Sequence, residues 1–121
     1  MTKIQNSKQY DLEDRTFNFA KNVAKFVRQL PRITSNFEYG RQVIDASGSV
    51  GANYIEANEA LSKKDFAMRI KICRKEAKES AYWLRLIVET NSEECEEEGR
   101  KLHGEAIELK KIFSSILTRS E

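Results

Sequence analysis

A single histidine, His103, and a single proline, Pro31, stand in this sequence, and each scarcity excludes something. A di-iron site of the ferritin kind needs a Glu-x-x-His pair on each of two helices. Here Arg100 precedes His103 by three, so that site cannot be built. Cysteine–histidine catalysis would require His103 beside Cys73 or Cys95 with a third orienting group, and nothing in the spacing supplies one. The two cysteines form no CxxC pair and read as reduced thiols of a cytoplasmic protein. No apolar run is long enough to cross a membrane. The opening Met-Thr-Lys-Ile-Gln-Asn has no apolar core, which predicts no secretory signal. Gly48 and Gly51 lack the lysine and the strand-to-helix setting of a phosphate loop. The pairs Glu56/Glu59 and Glu76/Glu79 each share a helix face, and without imidazole they read as salt-linked surface carboxylates. No catalytic constellation, metal site or cofactor is expected, and the chain reads as non-enzymatic.

One proline and five glycines leave little punctuation in 121 residues, so the chain reads as one domain of long helices. Four fit the apolar periodicity, at about 11–30, 36–60, 63–90 and 93–118. In the first, Leu12, Thr16, Phe19, Val23, Phe26 and Leu30 form a seam. Phe17, Ala20, Ala24 and Val27 form a second seam beside it, giving the wide apolar face of a bundle helix. Asp11 is the expected N-cap, and Pro31 stops the helix. Ser35 with Glu38 and Ser62 with Asp65 read as capping boxes for the second and third helices. The third helix has the seam Phe66, Ile70, Cys73, Ala77, Ser80, Leu84 and Ile87. Ser92 is the expected cap of the fourth, which continues through Leu102, Ala106, Leu109, Phe113 and Ile116. Glu93 to Glu98 reads as its dipole-favoured start. Short connections predict an all-α, antiparallel, up-down-up-down four-helix bundle.

The stretch Ala46-Ser-Gly-Ser-Val-Gly-Ala-Asn53 consists mostly of small residues, yet helical phase runs through it. Tyr39, Val43, Ala46, Val50, Asn53, Ala57 and Ala60 recur at alternating spacings of four and three. Glycine inside a helix costs roughly 1 kcal/mol relative to alanine. Close approach of a neighbouring helix would offset that cost, so both Gly48 and Gly51 are expected to face one.

Net charge is only +2, but it alternates along the chain. Residues 1–32 carry +4, 33–61 carry −3, 62–85 carry +5 and 86–121 carry −4. Two readings follow: complementarity between neighbouring helices, or a basic surface for an anionic partner. Outside its core seam the third helix has two further faces. Lys71, Lys75, Lys78, Tyr82 and Arg85, with Arg74 alongside, form a basic stripe suited to a phosphate backbone or to plain solvation. Lys21, Lys25, Arg28 and Arg32 form a parallel case on the first helix, diagonal to it in an up-down bundle. Ile72, Glu76, Glu79, Trp83 and Leu86 add apolar surface beyond the core seam, as a subunit interface or a second buried side would.

The segment Ser47-Gly-Ser-Val-Gly-Ala-Asn-Tyr-Ile-Glu-Ala-Asn-Glu-Ala-Leu-Ser-Lys-Lys-Asp-Phe66 resembles proteins encoded in 23S rRNA intervening sequences. So do Lys71-Ile-Cys-Arg-Lys-Glu-Ala-Lys-Glu-Ser80, Tyr82-Trp-Leu-Arg-Leu86 and the opening Tyr10-Asp-Leu-Glu-Asp-Arg-Thr-Phe17. The resemblance implies a bacterial, cytoplasmic four-helix bundle that assembles as a ring-like homopentamer. It also implies kinship with accessory proteins of diversity-generating retroelements, which bind nucleic acid and a reverse transcriptase. It supplies no catalytic residues. The expected partners are therefore other copies of the chain, RNA or DNA, and a nucleic-acid enzyme such as a reverse transcriptase. The alternative is a protein-interaction scaffold with no nucleic-acid role.

Overall fold

The computed structural model describes the backbone of residues 2–120 and the side chains of residues 12–120. It contains four long helices: α1 (Thr2–Arg28), α2 (Thr34–Asn58), α3 (Lys63–Thr90) and α4 (Glu96–Ser120). A single 3₁₀ turn, Glu93–Cys95, leads into α4. No strand occurs among the described residues.

The boundaries show which local signals act. Ser62 caps α3 as its sequence indicates, its Oγ accepting from the Asp65 N–H at 3.0 Å. The Ser35–Glu38 box does not form. The N-cap of α2 is Ile33, in extended conformation with no side-chain cap, so Ser35 already lies inside the helix. Placing Ile33 at the cap leaves Asn36 free for a tertiary role described below. Asp11 is likewise interior to α1 rather than its N-cap, because Thr2 to Tyr10 hold no proline or glycine to stop the helix. Ser92 precedes the 3₁₀ turn without a side-chain cap bond, and α4 proper begins on three glutamates favoured by the helix dipole.

α1 and α3 each pack mainly against α2 and α4. Along α1 and α2 the contact order runs in opposite directions. Asn58 Nδ2 donates to Glu13 Oε2 at 2.8 Å, Thr16 lies against Gly51, and Val27 lies against Gly40. Val23, Val43, Val50, Ile70, Leu84, Ile87, Leu109 and Phe113 are fully enclosed at the centre. Tyr54 joins them, its ring 6.0 Å from that of Phe113. The principal α1 seam is buried as its periodicity predicts, but the second seam is not. Phe17 is exposed, and Ala20, Ala24 and Val27 are half-buried, because α2 covers only one flank of this face. In α4 Leu117, rather than Ile116, is the buried residue of the last turns.

The glycine expectation divides. A Cβ on Gly51 would come to 3.0 Å from Thr16 Oγ1 and 3.3 Å from Thr16 Cβ. A Cβ on Gly48 would meet nothing within 4 Å, so Gly48 is not a close-packing position within the subunit: it lies on the outer side of α2. Two further glycines take that role instead. A Cβ on Gly40 would sit 2.7 Å from Val27 Cγ1. On Gly99 it would collide with Val88 Cγ2 and lie 3.1 Å from Phe26 Cζ, at the junction of α1, α3 and α4.

The polar interior is paired. Asn36 Nδ2 donates to Pro31 O at 2.8 Å and to Asn91 Oδ1 at 2.9 Å. Asn91 Nδ2 donates back to Asn36 Oδ1 and to Ile87 O, each at 2.8 Å. This amide exchange ties the α1–α2 loop and the start of α2 to the end of α3. Among the described residues, no buried side-chain nitrogen or oxygen lacks a partner.

Overpacking a filled helix contact costs roughly 1–3 kcal/mol. Gly51→Leu and Gly99→Ala are therefore expected to lower stability in urea unfolding, although each gains helix propensity. A rise in the midpoint for either would contradict the close contact.

Candidate nucleic-acid interface

The basic stripe of α3 is laid out by helical spacing alone. Lys71, Lys75, Lys78, Tyr82 and Arg85 are all exposed, and Arg74 beside them is half-buried. Lys75 Nζ lies 3.8 Å from Glu76 and 3.9 Å from Glu79, and Arg85 Nε lies 3.1 Å from Glu89. Lys71, Arg74 and Lys78 make no ion pair among the described residues. They therefore offer charge that no ion pair among the described residues neutralises.

Tyr82 is 58% exposed, and its ring meets Trp83 edge-on at 5.0 Å. Trp83 in turn lies 5.9 Å from Tyr39 of α2. Tyr82 and Trp83 border an open groove of about 540 Å³ between α2 and α3, lined also by Gln42, Lys75, Lys78 and Glu79. Tyr82 carries its exposed ring surface next to lysine, an arrangement suited to an unstacked base beside a phosphate. Sequence spacing marks Tyr82 and Trp83; it places Tyr39 only in the apolar seam of the second helix, and the position of Tyr39 against Trp83 depends on how α2 meets α3.

The second basic stripe does not join the first. Lys21, Lys25, Arg28 and Arg32 are exposed on α1 and on the loop after it. Lys21 Nζ stands 5.9 Å from the Phe17 ring centre, and the Arg32 guanidinium 5.4 Å from that of Phe37. Because α1 and α3 each pack mainly on α2 and α4, the two stripes do not line one groove within a subunit.

The face assigned to subunit contact is partly covered already. Ile72, Glu76, Trp83 and Leu86 are half-buried, and Glu79 is exposed. Trp83 leans on α2 through Tyr39. Burial, then the nearby Glu79, raises the Glu76 carboxyl above its ordinary range; Lys75 pulls the other way, and Asp45 of α2 adds a further push. The carboxylates Glu76, Glu79 and Asp45 thus form a locally acidic patch.

Another groove lies between α1 and α4, with a volume of about 680 Å³. Arg15 bridges it to Glu105 through two bonds of 2.7 and 2.9 Å. Its remaining polar lining is of mixed sign and includes none of the candidate nucleic-acid or subunit-contact residues. Among the described residues, no three His, Cys, Asp or Glu side chains are gathered so as to hold a metal ion. No described helix is long and apolar enough to cross a membrane.

The thiols are shielded. Cys73 is fully buried, its Sγ donating to Val50 O at 3.4 Å, and burial pushes its pKa up to about 12. Burial, and then Glu94, also raises Cys95.

These features define an all-helical bundle whose chemistry is spread over helix faces rather than enclosed in a cavity. The chain belongs to the 23S rRNA-intervening sequence protein family, whose model matches residues 8–115. A crystal structure of a protein of unknown function from the S23 ribosomal protein family of Bacteroides thetaiotaomicron VPI-5482 is similar in fold. It is 28% identical with a TM-score of 0.80, over 92% of this chain and 98% of that one. No curated protein matches the chain.

The Cys73 shift carries a sign for stability. In the unfolded chain this thiol loses its proton near pH 9, whereas the folded protein keeps it until about pH 12. The native state then binds more protons than the unfolded state, so stability falls as pH rises through that window. Thermal unfolding between about pH 8 and pH 10.5 should show a steeper fall for the parent than for Cys73→Ala, which removes this titration. Equal slopes would mean that Cys73 does not contribute.

Proposed function

We propose that this protein is a non-enzymatic, cytoplasmic assembly protein that associates with RNA or other nucleic acid through basic helix faces. In this reading it is an antiparallel, up-down-up-down bundle displayed several times on a homo-oligomeric ring, with the pentamer favoured by the family resemblance. The opposed contact order of α1 and α2 supports the antiparallel arrangement. The observation that carries the nucleic-acid reading is the α3 stripe: Lys71 and Lys78 exposed and without an ion pair among the described residues, with Tyr82 exposed between Lys78 and Arg85. Arg74, Lys75 and Arg85 extend it, and Lys21, Lys25 and Arg28 provide a second, separate patch. Repetition matters, because several weak patches on one ring can hold one long polyanion together. A nucleic-acid enzyme such as a reverse transcriptase fits as a further partner by resemblance.

A second reading, a protein-interaction scaffold without a nucleic-acid role, is favoured by the large exposed apolar side chains. Phe17, Phe37, Ile44, Ile55, Leu61 and Met68 are all at least two-fifths exposed. Salt-dependent RNA binding separates the two readings.

Each lysine–phosphate contact releases counterions, so affinity should fall steeply with salt. Lys71→Gln with Lys78→Gln should flatten the log–log salt slope by about 1.5 to 2 units if both contacts are lost. Tyr82→Ala should weaken binding to single strands with little change in slope. Lys110→Gln with Lys111→Gln, on the acidic fourth helix, should do little. The assays use the assembled protein. Absence of RNA and DNA binding at low salt would leave the scaffold reading.

A further inference from the structure

The chain's one histidine lies in a small pocket between the last turns of α3 and the first turns of α4. Arg85, Val88 and Glu89 line it from α3, Arg100 and His103 from α4, and its volume is about 160 Å³. Packing builds this pocket. Gly99 admits Val88 against the α4 backbone, where a Cβ would collide with Val88 Cγ2, so the two helices lie close at this level. Val88 is buried and gives the pocket an apolar floor. Helical spacing then sets Arg85 and Glu89 on one side of the contact and Arg100 and His103 on the other.

The two arginines are oriented without being used up. Each donates its Nε to a glutamate one turn away on its own helix: Arg85 to Glu89 at 3.1 Å, Arg100 to Glu96 at 2.8 Å. Among the described residues, each guanidinium hydrogen-bonds through Nε alone. Both terminal nitrogens of each fork are left for another acceptor. Both ion pairs are open to solvent, where such pairs are weak. The lining itself sets two guanidinium groups against the one carboxylate of Glu89. His103, half-buried beside them, adds a ring N–H.

The geometry points to a binding site for a phosphate dianion, either free or at the end of a larger molecule. Guanidinium forks match phosphate oxygens with paired N–H donors, and two forks bring the charge a dianion needs. A phosphate monoester carries about −1.5 to −2 charges near pH 7 and presents three strong acceptor oxygens, and the pocket offers three donor groups. Size selects the same ligand. Pockets that enclose a whole drug-sized molecule run to roughly 300–1,000 Å³. A volume of about 160 Å³ takes a phosphoryl group and leaves the rest of its carrier outside. Arg85 is also the last member of the α3 stripe, three residues beyond Tyr82. A strand lying along that stripe would therefore bring its phosphorylated end here, whereas an internal phosphodiester carries only one charge. The strand-end form rests on the nucleic-acid reading of the proposed function; the phosphate site itself does not.

Because His103 is the only histidine, its imidazole signals in NMR of the assembled protein, made with isotope-labelled histidine, report on this pocket alone. At fixed pH and ionic strength, inorganic phosphate should shift them saturably at millimolar concentration, and chloride should not. Arg100→Gln should weaken this binding about tenfold, and Arg100→Lys should recover little of it, since an ammonium keeps the charge but not the fork. Glu89→Gln keeps an oxygen for Arg85 Nε and removes the opposing charge, so it should tighten binding about threefold. In a second arm, single-stranded RNA of one sequence carries a 5′-phosphate, a 3′-phosphate or hydroxyls at both ends. The parent should favour one phosphorylated form about tenfold over the hydroxyl form. Arg100→Gln with His103→Gln, both off the α3 stripe, should erase that preference and leave affinity for hydroxyl-ended RNA unchanged. Phosphate binding without an end preference identifies the free anion as the ligand. Absence of all RNA binding then ends the nucleic-acid reading and leaves the site standing. An imidazole that phosphate does not move, or an Arg100→Lys protein that binds phosphate like the parent, overturns the site whatever the RNA result.

Discussion

How closely α1 can approach its neighbours governs the rest of this bundle, and glycine sets that distance at three points. Gly40 admits Val27, Gly51 admits Thr16, and Gly99 admits Phe26 together with Val88. At each point a methyl group would force its neighbours to move. Each glycine weakens its own helix locally, and the cost is offset by dispersion contacts along both sides of α1. The buried seam from Leu12 to Leu30 reaches the core only because the α1 backbone can lie this near to α2 and α4. The same approach leaves the outer flank of α1 uncovered, which is why Phe17 remains in water.

Polar groups fasten the ends of the elements that packing brings together. Asn36 and Asn91 exchange two hydrogen bonds and satisfy the carbonyls of Pro31 and Ile87, joining three parts of the chain in one buried network. Farther along the α2–α3 contact, Arg69 Nη1 donates to Asn53 Oδ1 at 2.9 Å and Asn53 Nδ2 donates to Ser49 O at 2.9 Å. Fully paired networks of this kind favour one arrangement over its near neighbours, because a slip would leave amides buried without partners. The thiol of Cys73 is held in the same contact by the Val50 carbonyl, as a packing group and not a reactive one.

The alternation of charge along the chain becomes an alternation in space. Both positive segments, with α1 and α3, neighbour both negative ones, with α2 and α4. Direct pairing accounts for little of this: of the ion pairs among the described residues, Arg15–Glu105 alone joins two helices. Complementarity within the bundle therefore acts at longer range, where salt weakens it. It also leaves most of the charge on outward faces. The two readings of the charge pattern are thus compatible: one distribution favours the order of helices and leaves charge on their outward faces.

The number of helices, the α3 start at Ser62 and the core seams of α1 and α3 were legible from the sequence. Apolar periodicity and side-chain caps act within a few residues, and no other part of the chain has to be known to read them. The basic and apolar faces of α3 were legible for the same reason. Other features depended on which helix lies beside which. Ile33 rather than Ser35 caps α2, and Asn36 in its first turn pairs with Asn91, fifty-five residues away. Tyr54 reaches the core, and Phe17 does not, because neighbouring helices cover one flank and miss another. The glycines show the division most plainly. Sequence alone determined that Gly48 and Gly51 share one helix and carry the same propensity cost. Only the tertiary structure decided that Gly51 meets α1 while Gly48 faces outward, because three positions along a helix amount to nearly one turn but not a whole one, and that remaining angle carries Gly48 clear of the α1 contact.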